Sequence, residues 1–180
     1  MKDLYHANEL RPCMPLSFAK CVEDAWLGEG YYFWESFIEN ARLWGESHYI
    51  KKGKAFQILK SQYDSCSENC LDLVDNVEQI REFDSACKEV EAKASEKVEF
   101  FFTRLLLLKK YAANYFSKFF CIRILPMGGM VVERLRFSEK NSAIYTPYPP
   151  IQVCFWEKPP QIISCVECKR PPFRTSYVSY

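Results

Sequence analysis

Apolar and polar positions follow different periods in different parts of the chain. Leu4-Tyr5-His6-Ala7-Asn8 is a short run that predicts an opening strand ending in polar residues. Pro12 and Pro15 then punctuate a loop, and Phe18, Cys21, Val22 and Ala25 fall on one face of a short helix expected over Ser17 to Trp26. Gly28-Glu29-Gly30 precedes four consecutive aromatics, Tyr31-Tyr32-Phe33-Trp34, which suit a pleated, half-buried strand. Phe37, Ile38, Ala41 and Trp44 recur at helical spacing, with Gly45 as the expected stop.

Further on, Ala55 to Tyr63 and Cys70 to Val74 read as strands. Asp75, with Glu78 three residues later, has the spacing of a helix start. Val77, Ile80, Ala86, Cys87 and Val90 make that helix's apolar stripe. A second helix is expected from Ser95 to Tyr115, with Val98, Phe101, Phe102, Leu105, Leu108, Ala112 and Tyr115 inward. Strand patterns return at Phe119–Leu125, Val131–Phe137 and Ile151–Trp156, with a turn at Pro126-Met127-Gly128-Gly129. The segment 158–180, rich in proline and polar residues, is expected to lie extended on the domain. The pattern as a whole predicts one α+β domain spanning residues 1–180, with a helical pair over about 75–117.

Composition narrows the function classes. A formal net charge of +1 over 180 residues implies neither general nucleic-acid affinity nor disorder. Nine scattered cysteines, an odd number, argue against a disulfide framework. The first residues lack the apolar core of a signal peptide, and Phe100 to Leu108 is far shorter than a membrane span. A cytoplasmic protein without a membrane partner is the expectation. Cys165-x-x-Cys168 and Cys66-x-x-x-Cys70 have metal-ligand spacing, but they lie far apart and no metal is expected. Cys–His nucleophilic catalysis has only His6 and His48 to supply a base, and neither has a nucleophile motif nearby.

Taken in order, Tyr5-His6, then Gly28-x-Gly30-x-Tyr32-Phe33, then the helix carrying Ala41 and Trp44, and late in the chain Ile151-Gln152-Val153-Cys154 form a more specific signal. This order resembles the ADP-ribosyltransferase superfamily, in its diphtheria-toxin and poly(ADP-ribose) polymerase branch. Val131-Val132-Glu133-Arg134 and Ser142-Ala143-Ile144-Tyr145, leading into Gln152, are similar to the run-up to the last motif in small bacterial proteins of this kind.

The resemblance implies a split, mostly antiparallel sheet with flanking helices, whose cleft holds NAD as substrate. His6 would bond a ribose hydroxyl, and the backbone of Ala7 would grip the nicotinamide amide. Tyr32 would stack on the nicotinamide ring, and Trp44 would close its other face. The implied reaction is mono-ADP-ribosyl transfer to a protein or nucleic-acid acceptor, with release of nicotinamide. Where that family carries its catalytic Glu, this chain has Gln152, which has no charge to stabilise a cation-like transition state. Glu133 in the preceding strand is the candidate to supply a carboxylate, whereas Glu157 falls on the other side of a regular strand from Gln152. The alternatives are a weak or inactive NAD-binding module of the same fold, and an interaction protein that uses its tail as a contact.

Overall fold

Tyr31–Glu35 is strand β2 in the computed structural model, and its alternating side chains face two different cores. The structure describes residues 1–172 apart from 14, 23–24, 95–97, 128–130 and 140. In chain order the strands are β1 (Lys2–Glu9), β2, β3 (Phe56–Tyr63), β4 (Cys70–Asp72), β5 (Cys121–Ile124), β6 (Leu135–Ser138), β7 (Asn141–Tyr145), β8 (Gln152–Phe155) and β9 (Ser164–Lys169). Seven of them form one sheet in the order β4-β5-β8-β2-β1-β3-β9, while β6 and β7 form a separate hairpin. Only β4 and β5 run parallel; the other pairs are antiparallel. The helices are α1 (Ile38–His48), α2 (Val77–Ala94), α3 (Phe101–Tyr111) and α4 (Ala113–Phe116). The architecture is therefore mixed α+β around a largely antiparallel sheet.

Register decides which side chains share a face. Tyr5 lies opposite Trp34, Trp34 opposite Gln152, and Tyr32 opposite Cys154, so Tyr5, Ala7, Tyr32, Trp34 and Gln152 project from one face. Two helical layers cover that face. Over one half, Ala41 of α1 packs on Ala7, Phe56 and Ile58. Over the other, Phe83, Cys87 and Val90 of α2 and Leu105, Leu107 and Leu108 of α3 pack on Leu71, Ile122 and Cys154. The opposite face carries Leu4, Phe33, Leu59, Val153 and Phe155, covered in part by Phe18.

Between the two halves the sheet opens. β1 and β2 are paired only at Leu4–Glu35 and Tyr5–Trp34, whereas β1 and β3 stay in register from Lys2 to Glu9. Residues 17–21 occupy the gap. Cys21 bridges Gly30 through two backbone bonds, and the Asn8 amide donates to the carbonyl of Ser17 at 2.7 Å.

Two glycines are required by close approach. A Cβ on Gly30 would lie 2.6 Å from the Cys154 sulfur and 2.7 Å from the Phe155 carbonyl oxygen. Gly45 does not stop its helix: α1 runs on to His48, and a Cβ at Gly45 would enter the ring of Phe56. Its role is to let α1 approach β3.

Other expectations change as well. Residues 17–22 form no helix, because their polar backbone is taken up by His6 and Asn8 of β1 and by Gly30 instead. Asn76 rather than Asp75 caps α2, accepting the Gln79 N–H at 3.1 Å, and Val77 is exposed. The second helix is broken at Ala112 into α3 and α4, and Ser95, like Gly128 and Gly129 of the expected turn, lies outside the described residues. The strand expected over Val131–Phe137 begins only at Leu135. The tail is not merely laid on the domain, since β9 pairs with β3 as an edge strand of the sheet. Residues 173–180 lie outside the described residues.

Below the sheet, opposite the helices, lies an ionic cluster that the sequence reading did not find. Arg123, 2% exposed, donates through Nε and Nη2 to Glu35 at 2.7 and 2.9 Å, and through Nη1 to Asp72 at 2.9 Å and Asp75 at 2.7 Å. Tyr63 and Lys2 also donate to Glu35, at 2.5 and 2.8 Å. Every carboxylate oxygen of Glu35 is thereby satisfied, as burial of the charge demands. Burial alone would raise the Glu35 carboxyl, but the bonds from Arg123, Lys2 and Tyr63 outweigh it and hold the group below the ordinary carboxylate range.

Candidate functional site

A cavity of about 360 Å³ opens where β1 and β2 part, beside α1 and residues 19, 21, 25 and 26. Small-molecule sites commonly fall between roughly 300 and 1,000 Å³. Its lining brings together residues from distant parts of the chain: His6 and Ala7 of β1, Tyr32 and Trp34 of β2, Trp44 and His48 of α1, and Gln152 of β8. Ala19, Cys21, Ala25, Trp26 and Tyr49 complete the wall.

Five of the six site residues expected from the sequence thus meet in one place: His6, Ala7, Tyr32, Trp44 and Gln152. Glu133 does not join them. It precedes β6, outside any strand, and its side chain is exposed. β6 pairs only with β7, so no strand carries Glu133 towards the cavity. Glu157 lies beyond the end of β8 and lines a different hollow with Lys20, Lys109 and Trp156.

His6 is 5% exposed and both of its ring nitrogens are engaged. Nδ1 lies 2.7 Å from the Tyr32 carbonyl oxygen, and Nε2 accepts the N–H of Ala19 at 3.1 Å. A carbonyl only accepts and a backbone N–H only donates, so the neutral ring carries its proton on Nδ1. Burial pushes the imidazole down to about 4, against the pull of the Tyr32 carbonyl. His6 has no second proton to offer a ligand hydroxyl. What it does is join β1 to β2 across the gap and pin the segment that walls the cavity. It packs on Phe18 and Phe33, at centroid distances of 5.3 and 5.4 Å.

The ring of Tyr32 is held at both ends. Its hydroxyl donates to the Gly28 carbonyl at 2.7 Å and accepts the Leu27 N–H at 2.9 Å, and the ring rests on the helical core. Gly28 makes this turn possible with φ of +85°, a conformation that disfavours a side chain. Burial of the hydroxyl raises its pKa, so it remains a neutral donor. Tyr31, on the opposite face of β2, is half-buried against Leu4, Phe33 and their neighbours.

Trp44 is 37% exposed and stacks on His48 one turn later, with centroids 5.0 Å apart and planes 9° from parallel. The pair forms an aromatic rim from α1. Burial and the nearby Lys52 and Lys54 hold the His48 ring below its ordinary pKa.

Gln152 accepts the indole N–H of Trp26 through Oε1 at 3.1 Å. With Oε1 engaged by the indole, the NH₂ is the group of this lining side chain that can donate to a ligand acceptor. No Asp, Glu, Lys or Arg is among the lining residues described. The site is thus uncharged, aromatic and supplied with oriented neutral donors, a chemistry that seats a flat ring by stacking.

A second cavity of about 220 Å³ adjoins the first and shares Ala19 and Tyr49 with it. It is lined by Asn8, Glu9, Arg11, Ser17 and Gln57. Among the described residues the Oδ1 atom of Asn8 is buried and has no hydrogen-bond partner.

The two cysteine pairs considered for metal do not meet: Cys70 is on β4 and Cys165 and Cys168 are on β9, at opposite edges of the sheet. Among the described residues, no group of three or more His, Cys, Asp or Glu side chains could hold a metal ion. Nor is any helix of the described residues long and apolar enough to cross a membrane. In comparisons with known proteins, no family model, curated protein or solved structure matches the chain.

Proposed function

We propose that the protein is an ADP-ribosyltransferase-like NAD-binding protein, with the nicotinamide end of NAD in the aromatic cavity and the adenosine half in the cavity beside it. The observation that carries this reading is the convergence of His6, Ala7, Tyr32, Trp44 and Gln152 on one cavity. Tyr32 offers a fixed ring, and Trp44 an exposed one, for stacking. The backbone of Ala7 and the NH₂ of Gln152 offer donors and an acceptor for a carboxamide or a ribose hydroxyl. Glu9 and Arg11 are polar partners for the other half. His6 acts by holding this arrangement rather than by touching ribose, in departure from the role its motif implies.

Transfer of ADP-ribose to a macromolecular acceptor would break the bond between nicotinamide and ribose through a cation-like transition state. The lining that meets that charge has no carboxylate, and removal of such preorganised charge costs roughly 3–4 kcal/mol of barrier. This favours a second reading, in which the same site binds NAD and turns it over slowly or not at all.

Incubation with NAD labelled in the adenosine half, together with a cell lysate, separates the two. Label on macromolecules and free nicotinamide support the transferase. Saturable NAD binding without either product supports the binding module. If NAD neither binds nor reacts, both readings fall.

A further inference from the structure

Cys165 and Cys168 lie three positions apart on β9, where a regular strand would turn them to opposite faces. The pairing with β3 is not regular. Leu59 lies opposite Cys165 and Ile58 opposite Glu167, which leaves Val166 as an extra residue in a bulge. The bulge takes up one step of the alternation and brings both thiols to one side. Their sulfurs are 3.5 Å apart, and both side chains are exposed on the sheet's outer edge.

The backbone that presents the pair is anchored on both sides of Cys168. Glu167 receives Nε and Nη2 of Arg42 at 3.0 and 2.8 Å, and Lys169 pairs with Glu46, so the bulge is tied to α1 twice. The Cys165 thiol also donates to the Glu167 carbonyl at 3.6 Å. Nothing in the cavity uses these residues. Cys13 and Cys66, the other exposed cysteines, have no thiol partner described.

We propose that Cys165 and Cys168 form a reversible thiol–disulfide site that reacts with small disulfides of the glutathione class. One thiolate attacks a sulfur of the small disulfide, forming a mixed disulfide and releasing one small thiol. The neighbouring thiolate then attacks the protein-side sulfur, closes the Cys165–Cys168 bond and releases the second small thiol. Two protons and two electrons leave the protein, and the small disulfide is reduced to two thiols. The sulfurs need to approach from 3.5 Å to the disulfide length of about 2.05 Å, a movement within the reach of side-chain rotation. Holding the second thiol in place makes the closing step intramolecular, which favours it strongly over attack by a second small molecule.

The test uses the reduced full chain in oxidised glutathione near neutral pH, followed by alkylation, digestion and mass spectrometry. The expected product is an internal Cys165–Cys168 link that dithiothreitol reverses. The glutathione adduct on Cys165 or Cys168 should not accumulate in the wild type, because intramolecular closure outpaces the bimolecular step that forms it, whereas Cys13 and Cys66 should retain theirs. Cys165→Ser and Cys168→Ser should each stop at a glutathione adduct on the remaining thiol. The proposal is overturned if the wild type accumulates that adduct without an internal link, or if the link forms only after unfolding in urea.

Discussion

The imidazole Nδ1–H of His6 on β1 is bonded to the carbonyl of Tyr32 on β2 at 2.7 Å, across the gap where the two strands part. This bond holds the opening that becomes the cavity, and it can exist with Ala19 as the second partner only while the ring is neutral. Between the ordinary histidine value of 6.5 and the folded value of about 4, the unfolded chain binds the proton and the folded chain does not. Stability from this group is therefore fully present above pH 6.5 and is lost as pH falls towards 4, by an amount on the order of 3 kcal/mol. Urea unfolding of the wild type should show this fall. In His6→Gln, stability should be lower at pH 7, and the part of the fall between pH 6.5 and 4 that belongs to His6 should be missing.

Arg123 supplies the second prediction. It neutralises Glu35 and Asp72 in a cluster where Arg123 and Glu35 are each 2% exposed. Arg123→Met leaves Asp72 without its ion-pair partner and Glu35 with Lys2 as its one remaining cation among the described residues, and should destabilise the chain by about 3–5 kcal/mol. Adding Glu35→Leu should recover part of that loss, since a buried charge that has lost its guanidinium partner goes with it. A double-mutant cycle by chemical denaturation measures the coupling, and additive losses would contradict the account. Because Glu35 is held below its ordinary range, its contribution is present above about pH 4.5 and fades as acid titrates the folded carboxyl.

How much of this was legible in the sequence varies with the range of the forces involved. β1, β2, β3, β8 and the amphipathic α2 follow from local alternation and helical spacing. The cavity residues were legible through motif order, because Gly28, Gly30 and Tyr32 perform local tasks that few other residues can. The 17–22 segment was misread because its spacing is helical, yet its backbone is captured by His6, Asn8 and Gly30. Gly45 looked like a stop because its task, contact with Phe56, is a tertiary one. β9 was missed since an exposed edge strand has no apolar period to reveal it. The ionic cluster did leave a trace: Arg123 interrupts the apolar run Cys121-Ile122-Arg123-Ile124, and a charge there requires buried partners.

Gln152 gives the third prediction. The indole N–H of Trp26 that now bonds its Oε1 can equally bond a carboxylate. Gln152→Glu therefore places a negative charge in the cavity with a donor already aimed at it. Nicotinamide release from NAD, followed by chromatography, should rise by about a hundredfold or more over the wild type. An unchanged rate, with NAD still bound, would mean that the reacting carbon does not sit near position 152.

The most direct test of NAD binding in the aromatic cavity is calorimetric titration of NAD into the wild type and into Trp44→Ala. Trp44 is partly exposed at the rim, so its removal should leave the melting temperature close to that of the wild type. Loss of one stacking face, worth about 0.5–1.5 kcal/mol, should weaken NAD binding by roughly two- to tenfold. The expected result is saturable heat in the wild type and a weaker isotherm in the variant. No saturable heat from the wild type, or identical isotherms for the two proteins, would contradict the assignment.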